Sequence, residues 1–328
     1  MKKKLFAVLA ATLAGTTLSL SACTSGDSKI TFRDYWNVTP SLTAEEPINE
    51  TLTYDVAFES YNSESINYDI DYKGTYTTTL MWDYKESLYV FTSNLDVETT
   101  FTVGNESETK KDKVYTKVSF HKAGGTDNLS PVSSYKEITS HTPIVTNSAS
   151  TPKDCYERYD YTITTNYENG QGKCTILREL YSEELNDLIE MPPKEKTFNA
   201  TSKKRSVLDN EQFPVAFRTL PVNTNTTVQM FNPFLEKSQK YTVSFSEETQ
   251  EKKYSYKLNG NDVTPTIHYH TASIAVAGTT SGQAQSAEIA TMEEGKPNTN
   301  RRLMLAYYAP LSQNIGVLKY TLKTAEYK

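Results

Sequence analysis

The sequence predicts a mainly β protein, an antiparallel sheet covered on one side, with one short helix. Alternation is the first observation: Leu52, Tyr54, Val56 and Phe58 fall on one side of a strand, with Thr53, Asp55, Ala57 and Glu59 on the other. Turn signals punctuate the chain at Gly124-Gly125, Glu168-Asn169-Gly170 and Asn259-Gly260. Helical periodicity is sparse, and strands with one polar face belong to an antiparallel sheet covered on one side. The 23 Tyr and 12 Phe supply burial that a hydrophobic fraction of 37% would not otherwise suggest.

The first residues are an address. Lys2, Lys3 and Lys4 precede a short apolar run, Leu5 to Leu20, that is too brief and too rich in Thr and Ser for a membrane span. It ends in Leu20-Ser21-Ala22-Cys23, which resembles the lipobox of bacterial lipoproteins, in which the thiol is acylated and the preceding peptide removed. The resemblance implies a signal peptide over 1–22 and a lipid on Cys23. It also implies a tether over 23–50, spaced by Pro40 and Pro47, and a location on the extracytoplasmic face of the cell membrane. After processing, 31 basic residues face 40 acidic ones, a net charge of −9, so the lipid and not the protein surface holds the chain to the membrane.

The β domain fills 51–328. Strands are expected at Leu52–Phe58, Tyr68–Tyr76, Val114–Phe120, Tyr159–Tyr167, Tyr241–Phe245, Ile267–Val276 and Val317–Leu322. A short helix capped by Ser182 is expected through Ile189, ended by Pro192 and Pro193. Residues 194–205, 223–227 and 278–287 read as linker or loops. Tyr54–Phe58 echoes Tyr241–Phe245, and Tyr68 and Gly74 then correspond to Tyr254 and Gly260. Either a duplication with halves 51–193 and 206–328 or convergence of two amphipathic strands explains this echo.

Four short motifs carry a further resemblance: Leu52–Val56; Asn128-Leu129-Ser130-Pro131 with Val132–Ser134; Asp209–Pro214 running into Phe217–Pro221; and Met304–Ala309 before a closing strand, Ile315–Leu322. In that order they resemble a family of exported bacterial β proteins related to the lipoprotein-localisation-factor-like (LolA-like) superfamily. A Trp that often opens the penultimate strand is replaced here by Leu305 or Ala306. The resemblance implies a curved antiparallel sheet, a half barrel, with apolar material on its concave face, and supplies no catalytic residue.

Composition narrows the chemistry. An acidic chain lacks the basic surface that nucleic-acid binding needs. Four His and three Cys leave little for a multi-ligand metal enzyme, and no cofactor motif is present. Ser133-Ser134-Tyr135-Lys136 has the Ser-x-x-Lys spacing of acyl-transfer enzymes but lies in strand sequence without the partner motifs, so no catalytic residue is expected. His268 and His270 share a strand face and are a weak metal pair, Asp262 being near only in sequence; His121 and His141 carry no signal. An exported chain favours a Cys155–Cys174 disulfide, whereas a hairpin at Asn169-Gly170 sets Cys174 opposite a residue near 165. Tyr54, Tyr68, Tyr72, Tyr76 and Trp82, with Tyr84 nearby, are either a ligand face or sheet core.

The expected function is therefore a non-enzymatic, membrane-anchored lipoprotein that binds or shields a lipid or other amphipathic ligand, or contacts an envelope component. The alternative is a surface module that touches carbohydrate or protein through exposed Tyr.

Overall fold

The computed structural model describes residues 49–61, 66–122, 129–182, 187–202, 205–222, 225–277, 284–291, 302–311 and 315–327. Within them run β1 (Glu50–Ser60), β2 (Asp69–Asp83), β3 (Leu88–Val103), β4 (Glu106–Phe120), β5 (Pro131–Pro143), β6 (Tyr156–Glu168), β7 (Gln171–Ser182), β8 (Asp187–Asn199), β9 (Thr201–Ser202), β10 (Arg205–Ser206) and β11 (Leu208–Asp209). After a helical stretch that contains α1 (Phe213–Ala216) come β12 (Thr226–Asn232), β13 (Lys237–Phe245), β14 (Gln250–Lys253), β15 (Tyr256–Leu258) and β16 (Asn261–Val263). The chain ends with β17 (Thr266–Val276), β18 (Gln285–Ala290), β19 (Met304–Pro310) and β20 (Gly316–Tyr327).

One curved, open sheet holds nearly all of them. Its antiparallel order is β8-β7-β6-β5-β4-β3-β2-β1-β20-β19-β18-β17-β13-β12. Parallel pairs join β11 to β12 and β15 to β20. The first and last strands lie side by side, Tyr54 opposite Leu322, so the two ends of the described chain belong to the same sheet. Gly74 sits in mid-strand between Val56 and Val97, whereas Gly260 takes a positive φ in the β15–β16 turn, so the two echoed glycines have different structural roles.

Alternation sets the faces. Leu52, Tyr54 and Val56 are buried while Asp55, Ala57 and Glu59 are exposed, and β2 to β6 repeat the pattern. The inward side chains form one large apolar cluster reaching from Leu52 to Ala325. Asn169 and Gly170, at φ 51° and 75°, make the two-residue turn expected between β6 and β7, and Cys174 stands opposite Thr165.

Three expectations are corrected. Residues 187–199, expected as the end of a helix and the start of a linker, form β8; residues 183–186 lie outside the described residues. Pro192 and Pro193 fall where the β7–β8 register slips opposite Leu177, on a strand at the sheet's border, where missing N–H groups cost least. Thr226 and Thr227 begin β12, and Gln285 to Ala287 belong to β18, so the polar stretches expected as loops are partly strand; Gly124-Gly125 and 278–283 lie outside the described residues. Among the described residues the α-helix is instead at Phe213–Ala216, flanked by 3-10 turns at Asn210–Gln212 and Phe217–Thr219.

That helical stretch decides the shape of the interior. Residues 207–220 are buried almost throughout and cross the concave face of the sheet, with Leu208, Phe213, Val215, Phe217 and Leu220 joining the main core. Asp209 caps the segment by accepting from the Glu211 N–H, and Gln212 reaches back to the Asp209 N–H, a reciprocal capping box.

Candidate functional site

The concave face carries three buried polar assemblies. In the first, Ser134 and Lys136 are neighbours on the inner face of β5. Lys136 Nζ lies 2.7 Å from Glu211 Oε1, with both side chains about 2–3% exposed. Asp209 Oδ2 accepts from Ser134 Oγ at 2.5 Å and from the Tyr167 hydroxyl at 2.6 Å. Gln212 Nε2 donates to the Leu129 carbonyl at 2.9 Å. Burial, followed by the nearby Glu211 charge, pushes the Asp209 carboxyl above its ordinary value, against the hydrogen bonds from Ser134 and Tyr167. Ser133, by contrast, lies on the opposite face of β5 from Lys136, so the Ser-x-x-Lys spacing makes no dyad.

The second assembly is the pair of Arg218 and Glu50, joined by bonds of 2.6 and 3.0 Å. Arg218 Nε donates to the Arg302 carbonyl, and Arg302 Nη1 to the Leu220 carbonyl. Burial alone would lower the guanidinium's pKa, but the Glu50 carboxylate holds it above the usual value.

The third was missed in the sequence. His141 was expected to carry no signal, yet it is buried, and its backbone N–H and Nδ1 lie 2.8 and 2.7 Å from Asp112 Oδ1. Asp112 Oδ2 accepts from Thr99 Oγ1 at 2.7 Å, and Tyr156 packs edge-on against the imidazole. The β4–β5 ladder ends at Lys113 and Thr139, so Asp112 satisfies the backbone donor that β5 exposes as it departs. Each of the three assemblies is buried and ties the sheet to itself or to the crossing segment.

The expected ligand-face residues separate into two groups. Tyr54, Tyr68, Tyr72 and Tyr76 are buried. Tyr68 donates to the Ile144 carbonyl at 2.6 Å, while the hydroxyls of Tyr54, Tyr72 and Tyr320 find no protein partner. Burial drives the pKa of all four expected Tyr upward. Trp82 is only partly buried: one side meets Tyr89, with ring centroids 5.0 Å apart, and Lys122 Nζ stands 4.4 Å from the indole.

On the outer face of the β2–β3 hairpin, opposite the Trp82 indole, lies an open cleft of about 490 Å³, lined by Thr79, Met81, Trp82, Asp83, Tyr84, Lys85, Val90 and Thr92. The β2–β3 hairpin builds it. Met81 is paired with Val90 and Thr79 with Thr92 on the outer face, and the connecting turn presents Tyr84 and Lys85. Met81 is 53% exposed and Tyr84 72%. Asp83 Oδ1 accepts from the Lys85 and Glu86 N–H groups at 2.9 and 3.1 Å, fixing the turn. Asn49 Oδ1 accepts from the Trp82 N–H at 3.0 Å, so the chain enters the sheet beside this cleft.

The remaining candidates resolve individually. Cys155 and Cys174 are free, buried thiols in two separate apolar clusters, so the expected disulfide does not form. Burial pushes each up to about 11. His268 Nε2 lies 3.5 Å from Glu251, and His270 Nδ1 lies 2.9 Å from the Ser246 carbonyl, while Asp262 is paired away in β16 opposite Lys257. No group of three metal-ligating side chains gathers among the described residues. No described helix is long and apolar enough to cross a membrane. Cys23 lies outside the described residues. No family model, curated protein or solved structure matches the chain.

Proposed function

We propose that this protein is a lipid-anchored extracytoplasmic lipoprotein, non-enzymatic, that contacts an amphipathic ligand or envelope component through the β2–β3 cleft. The single observation that carries the reading is the cleft itself: Met81 and Tyr84 stand in solvent on a hairpin whose turn is stiffened by Asp83. Exposed large apolar side chains gathered in one place are the usual mark of a contact surface. Tyr84, apolar in body and polar at the tip, suits an amphipathic partner. Crossing of the concave face by residues 207–220 counts against an open ligand basin there, which favours the outer surface over the inner Tyr stripe. Lipid anchoring rests on Leu20–Cys23.

Two measurements test it. The intact mass of the membrane-extracted mature chain should include acyl chains on Cys23, and Cys23→Ala should move the protein out of the membrane fraction. Trp36 and Trp82 are the only two Trp, so the variant Trp36→Phe, Trp82→Phe, Tyr84→Trp carries its sole indole at the exposed turn of the cleft. Dodecylphosphocholine titrated below its micelle concentration should shift that emission to the blue and saturate; a flat response contradicts contact at the cleft.

A further inference from the structure

We propose that Lys136 and Glu211 are the two ends of an intramolecular amide bond, Lys136 Nζ to Glu211 Cδ, which the folded chain forms by itself with loss of one water. The proposal is independent of the cleft and of the lipid anchor.

Contact and enclosure are the first ground. Lys136 Nζ stands 2.7 Å from Glu211 Oε1, and the two side chains are 2% and 3% exposed. The carboxyl carbon is one bond beyond that oxygen, so amine and electrophile already face each other. Holding two reactants in place removes much of the entropy cost of joining them. Phe234 covers the amine, its ring centroid 5.7 Å from Nζ. Each partner sits on a fixed element: Lys136 in mid-β5, paired with Thr116 and Ile163 on its two sides, and Glu211 within the capping box of the crossing segment.

Charge is the second. Ser134, the next inward residue of β5, binds the Asp209 carboxyl at 2.5 Å, so Asp209 and Glu211 bring two acids beside one ammonium in a site nearly closed to solvent. An ion pair there has lost its hydration and regains only part of it from mutual attraction. Passing the ammonium proton to the Glu211 carboxylate leaves a neutral amine against a neutral acid, the reactive pair, and the Asp209 charge nearby favours the neutral acid. The amine lone pair adds to Cδ and the C–N bond forms. The C–OH bond of the acid then breaks, and its hydroxyl leaves with one proton from nitrogen as water. The product is an uncharged amide that needs no oxidant or cofactor, and burial still raises the Asp209 carboxyl. Cys155 and Cys174 are unbridged, so among the described residues no disulfide secures the crossing segment; the amide does so across 75 positions.

Tryptic mapping of the purified full chain, denatured before digestion, tests this. Trypsin does not cut after an acylated lysine, so residues 123–153 should emerge joined to residues 206–218 as one branched peptide. Its mass should fall short of the two linear peptides by one water, about 18 Da, with fragmentation placing the link on Glu211. Lys136→Arg keeps a cation beside Glu211 and should release 206–218 as an unmodified linear peptide. Linear 123–136 and unmodified 206–218 from the wild-type chain, even after prolonged incubation in the folded state, overturn the proposal. A link on Asp209, or a branched peptide that persists in Lys136→Arg, overturns it as well.

Discussion

Arg218 and Glu50 meet as a bidentate ion pair that is buried on both sides, Nη1 to Oε1 at 2.6 Å and Nη2 to Oε2 at 3.0 Å. It joins the segment that crosses the concave face to the first residue of β1, next to the Asn49–Trp82 bond at the cleft. One contact therefore links the filling of the interior to the edge where the chain enters the sheet.

Removing one partner leaves the other charged and unpaired in the core. Glu50→Gln or Arg218→Met should each cost about 3–5 kcal/mol, read as a lower urea midpoint. The double variant Glu50→Leu, Arg218→Met should cost less than the two single losses added together, because it strands no charge.

Asp209 supplies a pH test. Burial and the Glu211 charge raise its folded carboxyl pKa above the ordinary 3.8, so the folded chain holds that proton more tightly than the unfolded chain. Its contribution favours folding fully below the unfolded value and is lost as pH rises through the folded value. Asp209→Asn cannot titrate, so the stability of wild type relative to this variant should fall as pH rises above the ordinary carboxyl value of 3.8. Urea unfolding of both proteins over a pH series above that value checks the sign; a constant difference contradicts it.

Gly74 tests strand packing. A Cβ there would stand 2.1 Å from the Asp96 carbonyl and 2.6 Å from Val97 Cα, both backbone atoms that cannot move alone. Gly74→Ala should cost about 1–3 kcal/mol or more by forcing β2 from β3, visible in thermal unfolding.

The thiols make a fourth prediction. Cys155 and Cys174 are buried, free and pushed up to about 11, so neither should react with a thiol reagent at neutral pH in the native state. Both should react after unfolding without reductant; a silent unfolded chain would show that they are bridged.

Strand faces were legible because alternation is local: Leu52 to Glu59 carry their own orientation, and Asn169-Gly170 fixed Cys174 opposite Thr165. The polar interior was not. Lys136 and Glu211 are 75 positions apart, Arg218 and Glu50 168, and each looks like a solvated charge until the sheet curls and the segment crosses it. His141 gained its partner only because β5 leaves the ladder where Asp112 can reach its N–H. The misplaced helix has a local cause. Ser182 with Pro192 and Pro193 imitates a capped and terminated helix, while the capping box Asp209-x-x-Gln212 before Pro214 was read only as a motif. At the cleft, Tyr84 was visible in the sequence, but the contrast between it and the buried Tyr54, Tyr68, Tyr72 and Tyr76 needed the β2–β3 hairpin, which puts Tyr84 in the turn and Trp82 on the inner face with Tyr89.

Hydrogen–deuterium exchange of the mature chain, with and without dodecylphosphocholine below its micelle concentration, tests most directly where contact is made. Protection confined to residues 79–92 in the presence of the amphiphile is the expected result, with the segment 207–220 equally protected in both states. New protection in 207–220 and the inner strands, with 79–92 unchanged, would contradict the outer cleft and return the contact to the concave face.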